Sequence, residues 1–392
     1  MSSRYRPYGC REDAAPPLGP LAPDLTRSTT FAYPSAEQLR AAAEGEAPGE
    51  IYPRYGHPNA RRFEAAVAGL EGADGAVSFA SGMAAVTAIF GGLLSKGDVI
   101  VVSKHVYGGV DAVIAEDLPR FGVEVRRFDP FEAGSLERAV AGGATHVHVE
   151  TPTNPLCRVV DLERVAAVAR GCGALVSVDA TFLPPPFQRP LAHGADLVMH
   201  SATKILGGHS DAHAGVVSGR HELLERLEGF RRRTGAVLAP DTAWLLTRSL
   251  ATRELRTQRA CENAARLAAY LDGLRQKKRG VAAVHYPGLP QHPDRATAER
   301  YMRAFGFMLA FEVAGGLEAA VRVYDRFRVV ARAVSLGSAE TLASLPLHTS
   351  HAMMSAEERA DRGIADGLIR VSVGIEPYER LEADLAQALG SD

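Results

Sequence analysis

The sequence predicts an α/β protein: a large domain with a mostly parallel sheet, and a smaller α+β domain at the C-terminal end. Three observations carry this reading. From Ala76 to about Ala251, short apolar runs of strand length alternate with helical patterns. After Pro240-Asp241 the pattern becomes one long helical stretch, and beyond it strands and helices mix without strict alternation. Strand, helix and strand in succession give a sheet covered on both faces, because each crossover lays a helix over it. The expected boundaries are an N-terminal arm over 1–50, a large domain over 51–250 and a small domain over 251–392.

Taken in order, the first 50 residues are rich in proline (Pro16-Pro17, Pro20, Pro23) and poor in pattern. Such a segment buries little of itself and reads as an arm lying over another surface, a second subunit among the candidates. Ile51 to Asn59 is a polar, aromatic turn, with Asn59 as the expected cap of a helix from Ala60 to Leu70 that Gly72 closes. Strands are expected at Ala76–Phe79, Val99–Val102, Val123–Arg127, His146–Val149, Leu175–Val178 and Leu197–Met199. Between two of them, Asp161 to Arg170 sets Leu162, Val165, Ala166 and Ala169 on one helix face. The long stretch after Pro240 runs through Trp244, Leu245, Leu250 and Leu255 toward Leu274. The small domain then offers strands at Phe305–Val313, Arg328–Val334 and Leu368–Val373, and a helix from about Tyr378 to Leu389.

Composition narrows the function classes. The 392 residues are 46% apolar and 23% charged, an ordinary globular balance that permits two or three domains. A net charge of -2 makes no electrostatic case for nucleic acid or an anionic membrane. No apolar run approaches the roughly 18 residues that span a bilayer. Met1 to Arg6 has no apolar core after it, so no signal peptide is expected. Cys10, Cys157, Cys172 and Cys261 are scattered without a C-x-x-C pair and read as reduced thiols, which points to the cytoplasm.

The chemistry-bearing residues gather at the ends of the expected strands. Lys204 follows the Leu197–Met199 run in Ser201-Ala202-Thr203-Lys204, and Asp179 ends the run before it. A lysine and an aspartate so placed suit pyridoxal phosphate (PLP): the amine forms a Schiff base with the aldehyde, and the carboxylate keeps the ring nitrogen protonated. A surface lysine and a helix-capping aspartate are the alternative. Phe79 to Ala85 reads as strand, tight turn and helix start, a ready anion site, to which Ser201 and Thr203 could add hydroxyls. Tyr107 sits just past a strand, where its ring could stack on a flat cofactor or simply pack. In Glu150-Thr151-Pro152-Thr153-Asn154-Pro155, two prolines stiffen a loop in which Asn154 presents an amide. Arg370, in an apolar strand, needs an anion: a substrate carboxylate or an internal salt bridge. His146, His148 and Glu150 alternate on one strand, and His209 and His213 flank Asp211; both sets have metal-binding donor types, yet neither position suits a metal, and none is expected.

Together these segments resemble the Cys/Met-metabolism family of PLP enzymes, from about Tyr52 to Leu389. The most specific pieces are Ser201 to Lys204 with Gly207-Gly208-His209-Ser210-Asp211, then Ser335-Leu336-Gly337, and Gly367 to Gly374. The resemblance implies the PLP-dependent transferase fold of type I. It implies Lys204 as the Schiff-base lysine, Asp179 as the ring-nitrogen partner and Tyr107 as the stacking, proton-handling tyrosine. Gly82, Met83, Ser201 and Thr203 would hold the phosphate, joined by Tyr52 and Arg54 from a neighbouring subunit. Asn154 would meet the phenolic oxygen, and Ser335 and Arg370 the α-carboxylate of an amino-acid substrate. A homotetramer built of dimers with shared sites follows by the same resemblance.

The implied reaction is γ-elimination on a methionine- or homoserine-type amino acid, with γ-replacement of the cystathionine γ-synthase or O-acetylhomoserine sulfhydrylase kind as the alternative. Outside catalysis stand an inert PLP binder and a metal enzyme built on the histidine pairs. Several positions depart from the family pattern. Ile51 replaces an acidic residue that can pair with the distal amine of cystathionine, and Gly109 replaces the cysteine of methionine γ-lyases. His57, Pro53, Ala180 and His348 differ too, and together suggest a site altered at its edges for an unusual, secondary-metabolism substrate.

Overall fold

The computed structural model describes residues 22–390. The cluster Pro16, Pro17 and Pro20, together with Cys10 and the Met1–Arg6 terminus, lies outside the described residues. Strands β1 (Gly75–Phe79), β2 (Val99–Ser103), β3 (Glu124–Phe128), β4 (His146–Glu150), β5 (Leu175–Asp179), β6 (Leu197–Ser201) and β7 (Gly215–Gly219) form one sheet in the order β1-β7-β6-β5-β4-β2-β3. The five strands from β2 to β6 pair in parallel, and β7 runs antiparallel between β1 and β6. Six strands stand where the apolar runs placed them. β7 escaped the sequence reading because its five residues begin and end in glycine, within a loop rich in turn signals.

Helices cover both faces. Leu162, Val165, Ala166 and Ala169 of the Leu162–Gly171 helix are buried against Val147, Val149, Val176 and Val178, as the 3.6-residue spacing requires. Burying Leu162 and Val165 this way contributes about 1.5–3 kcal/mol each. On the other face Ile89, Phe90 and Leu93 meet Leu223, Leu224 and Leu227 over Ile100 and Met199.

The Pro58–Glu71 helix corrects one expectation. Its cap is His57, whose Nδ1 accepts the Ala60 N–H at 3.2 Å while its Nε2 lies 2.9 Å from the Leu238 carbonyl. Asn59 is inside the helix and instead binds Asp24 and Thr26, pinning the N-terminal segment. His57 is therefore a helix cap rather than an edge of the substrate site, and imidazole does there what a short polar side chain usually does. His57→Ala should lower stability by about 1–2 kcal/mol, read as a shift in the urea midpoint at unchanged slope. In the same N-terminal segment the Pro23 carbonyl accepts the Trp244 Nε1–H and Arg27 pairs with Asp241, so over residues 23–27 it lies on its own chain.

The helical stretch after Pro240 is two helices, Pro240–Leu250 and Arg253–Gln276. The break frees the Ser249 carbonyl, which Arg256 takes together with that of Ile205. Beyond it, β8 (Val281–His285), β9 (Met308–Val313), β10 (Ala331–Arg332), β11 (Leu342–Ser344) and β12 (Leu368–Ser372) make a second sheet, in the order β10-β11-β12-β9-β8. All its pairs but β10–β11 are antiparallel. The expected strand at Arg328–Val334 shrinks to two residues because the Asp384 carboxylate captures the N–H groups of Arg328, Val329 and Val330 before a neighbouring strand can. The Tyr378–Leu389 helix that supplies Asp384 is where the sequence placed it.

Candidate active site

The parallel strands end together. Glu150 pairs with Asp179, and Asp179 with Met199, so the ends of β4, β5 and β6 form one rim, the usual ligand edge of such a sheet. Above it is a cavity of about 680 Å³. Lys204, Asp179, Tyr107 and Asn154 line it with Gly82, Met83, Ser201 and Thr203, while Ser335 and Arg370 enter from the side of the second sheet. Tyr52 and Arg54 do not: they sit at a turn beside a separate cleft lined by Arg54, Tyr55, Arg232 and Arg233, with the Arg54 guanidinium 5.5 Å from the Tyr52 ring.

Lys204 Nζ donates to Ser335 Oγ at 2.7 Å. Burial pushes the ammonium below its ordinary pKa, and the Arg370 charge pushes the same way. Ser335 has φ +85°, a left-handed conformation that costs a non-glycine residue about 1–3 kcal/mol. That conformation turns its hydroxyl to Lys204 and its carbonyl to Arg370 Nη2, 3.0 Å away. Gly337, at φ +75°, holds the loop in place: a Cβ there would lie 2.5 Å from the Ile205 nitrogen.

Arg370 is buried, and burial lowers its pKa to about 10. Its hydrogen-bond partners are neutral, namely Asn154 Oδ1 at 3.0 Å and the Ser335 carbonyl, and its Nε has none. Among the described residues Arg370 forms no salt bridge, the alternative weighed for it. A buried guanidinium bonded only to neutral oxygens, with one N–H unmet, suits an incoming carboxylate.

Asp179 Oδ1 accepts the Thr181 N–H at 2.9 Å. Burial raises its pKa, while the bonds from Thr181 and the nearby His200 pull it down. Thr181 Oγ1 also accepts the Ser201 N–H at 2.9 Å, tying the end of β5 to that of β6. Ser81 Oγ caps the Gly82–Leu93 helix, whose first turn points its N–H groups at this rim. The Thr203 hydroxyl is already engaged by the backbone of Ala214.

Glu150, Thr181, Phe182, Val334, Thr349 and Ser350 are also among the lining residues. Of these the sequence reading singled out only Glu150, as a metal donor type. Its pairing with Asp179 at the strand ends was the signal available; in the turn at 348–350 only His348 carried one, as a departure from the family pattern. The donor types on β4 are divided: His146 and His148 share Ser177 Oγ at 2.6 and 2.8 Å and are pushed down to about 4 and about 3 by burial, while Glu150 binds backbone elsewhere. His209 bonds the Gly207 carbonyl and Ser249, and His213 lines the cavity. Among the edge departures, His348 lines the cavity, whereas Pro53, His57 and Ala180 do not.

The residues present fit PLP. One wall offers an amine of lowered pKa for the aldehyde, and the strand end offers a buried carboxylate for the ring nitrogen. The first turn of the capped helix could hold the phosphate. The unmet Arg370 Nε is the separate provision for a substrate anion. The model of the Cys/Met metabolism PLP-dependent enzyme family matches residues 10–390. The L-methionine gamma-lyase of Pseudomonas putida is 41% identical over 373 residues, covering 95% of this chain and 93% of that protein. The O-succinylhomoserine sulfhydrylase of Pseudomonas aeruginosa is 38% identical over 375 residues, covering 96% and 92%. The crystal structure of a cystathionine gamma synthase from Xanthomonas oryzae pv. oryzae, in complex with aminoacrylate and cysteine, superposes with a TM-score of 0.90 at 38% identity, over 98% of this chain and 96% of that one. With an amine, a carboxylate and a guanidinium converging on one cavity and a family match over nearly the whole length, the chain belongs to the Cys/Met-metabolism family of PLP-dependent enzymes.

Proposed function

We propose that this enzyme catalyses γ-elimination on a methionine- or homoserine-type amino acid in the cavity at the ends of β4, β5 and β6. The observation that carries the proposal is the convergence of Lys204, Asp179 and Arg370 on that one cavity. When bound, PLP accepts the electron pair left at the substrate's Cα. Arg370 grips the α-carboxylate as a fork, supported by the Ser335 carbonyl and by Asn154. Lys204, neutral more readily than a free lysine, takes the proton from Cα and can deliver it elsewhere; a second proton leaving Cβ expels the γ-substituent. Asp179, its charge disfavoured by burial, gains from a cation set beside it, which holds the ring nitrogen protonated. Tyr107, half exposed at the cavity, stacks on the ring and handles protons. Gly82, Met83, Ser201 and Thr203 would hold the phosphate, and Asn154 would meet the phenolic oxygen.

Tyr52 and Arg54 lie outside their own chain's cavity, which supports their serving a neighbouring subunit's phosphate in a homotetramer of dimers. We propose a division into an N-terminal arm over 1–50, a large domain over 51–250 and a small domain over 251–392. No helix among the described residues is long and apolar enough to cross a membrane, and we place the enzyme in the cytoplasm. Ile51 leaves no acid for a distal ammonium, which disfavours cystathionine. Gly109 carries no thiol, so that of the methionine γ-lyases has no counterpart here, and a Cβ at this position, 2.8 Å from Met83 Sδ and from Tyr107 Cε1, would require those side chains to shift.

The second reading, γ-replacement, is favoured by the similarity to a sulfhydrylase and a synthase. A panel of methionine, cystathionine and homoserine esters, assayed for keto acid with and without added thiol, separates the two. Keto acid without thiol is the expected result. A thioether formed only with thiol would establish replacement, and cystathionine turned over far faster than the rest would overturn the substrate assignment.

A further inference from the structure

Glu150 is a buried carboxylate at the cavity that the reaction as described does not use. Its Oε2 accepts the backbone N–H of Tyr107 at 2.8 Å, and its Oε1 accepts that of Asn154 at 3.1 Å. Tyr107 follows β2 and Asn154 follows β4, so one side chain holds two loops that leave adjacent strands. The chain of contacts continues: Asn154 Oδ1 accepts from Arg370, the Ser335 carbonyl accepts from Arg370, and Ser335 Oγ accepts from Lys204. Asn154, Arg370, Ser335 and Lys204 are thus linked in series, and Glu150 starts it and ties in Tyr107.

We infer that Glu150 is a positioning residue whose carboxylate, by clamping the Tyr107 and Asn154 backbones at a set separation, fixes the bound cofactor between the tyrosine ring and the asparagine amide. Only an acceptor at both oxygens serves two N–H groups. An amide of the same shape turns its NH₂ toward one donor and loses that contact. The site keeps this carboxyl group despite its cost: burial and the adjacent Asp179 charge push its pKa well above the ordinary carboxylate range, and the two N–H bonds offset only part of that.

This inference rests on the cavity being the PLP site, so the control is wild-type protein titrated with PLP; absence of a visible cofactor band there would sink that reading itself. Given the band, Glu150→Gln should raise the cofactor dissociation constant about 10-fold or more, the loss of one charge-assisted contact. It should also diminish the visible circular dichroism of the bound cofactor, which reports how rigidly the ring is held in a chiral site, and lower kcat more than it raises KM. The melting temperature of the cofactor-free protein tells this from a merely structural role: it should stay close to wild type. Wild-type dichroism and affinity in a folded Glu150→Gln protein would overturn the inference. Should that variant fail to fold, Glu150→Asp decides. Its carboxylate is one methylene too short to reach both N–H groups, so it must show the same losses in smaller measure, and an unchanged cofactor signal there would refute the clamp.

Discussion

Lys204→Ala protein, purified with PLP, should carry no covalently attachable cofactor and turn over its amino-acid substrate about 10²–10⁴-fold more slowly than wild type. The residue faces the cavity, its amine is the one lysine nitrogen there among the described residues, and Ser335 orients it. Borohydride treatment followed by intact mass should add cofactor mass to wild type and none to the variant. Stability should move the other way. Burial and Arg370 depress the Lys204 pKa in the fold below its ordinary 10.5, so the unfolded chain binds that proton more readily. In the cofactor-free protein the ammonium therefore opposes folding at neutral pH. That penalty fades as pH rises from the folded pKa toward 10.5. Cofactor-free Lys204→Ala should be at least as stable as cofactor-free wild type at pH 7, and the gap between them should close at alkaline pH. A variant that retains attached cofactor would place the covalent link elsewhere and remove the foundation of the proposed reaction.

The large sheet was legible in the sequence because strands buried on both faces must be continuously apolar. Val99 to Val102 is such a run, while in β4 and β5 only every second residue is apolar: Val147 with Val149 and Val176 with Val178 mark the face that a nearby helical pattern covers. What went unread has physical causes. β7 is short and bounded by glycine, so its membership in the sheet is decided by its neighbours β1 and β6 rather than by its own residues. The β-like run at Arg328–Val334 lost its strand to one distant carboxylate, Asp384, and no local pattern signals a partner more than fifty residues away. His57 was read as a change in the substrate site; it is a helix cap, because imidazole nitrogens reach the same N–H that an asparagine would.

The site was legible where chemistry demands a rare residue in or just past a strand: Asp179 ends β5, Lys204 follows β6, and Arg370 interrupts the apolar β12. It was not legible where the backbone supplies the function. The left-handed Ser335, whose hydroxyl and carbonyl face two different cations, has no sequence signature beyond its family motif. Thr181 matters through a hydroxyl that accepts one N–H and a backbone that donates another, which any small polar residue after a strand could do.

Arg370→Leu should raise KM for the amino-acid substrate about 10–100-fold while changing kcat less, since the fork binds a carboxylate present in both ground and transition states. Arg370→Lys should not restore it: an ammonium is a point donor and cannot span two carboxylate oxygens as a guanidinium does. A second effect separates electrostatics from fit. Arg370 is one of the two causes that hold the Lys204 pKa down, burial being the larger. With leucine there, the Lys204 pKa must rise, so less of the amine is neutral at a given pH. The rate at which cofactor-free protein captures PLP rises with pH through the Lys204 titration, and its midpoint should therefore move to higher pH in Arg370→Leu and stay near wild type in Arg370→Lys. The two variants thus part company: both lose substrate affinity, but only the neutral one shifts the capture profile. An unchanged midpoint in Arg370→Leu would mean that the guanidinium charge does not reach Lys204. A normal KM in either variant would assign the substrate carboxylate to another cation.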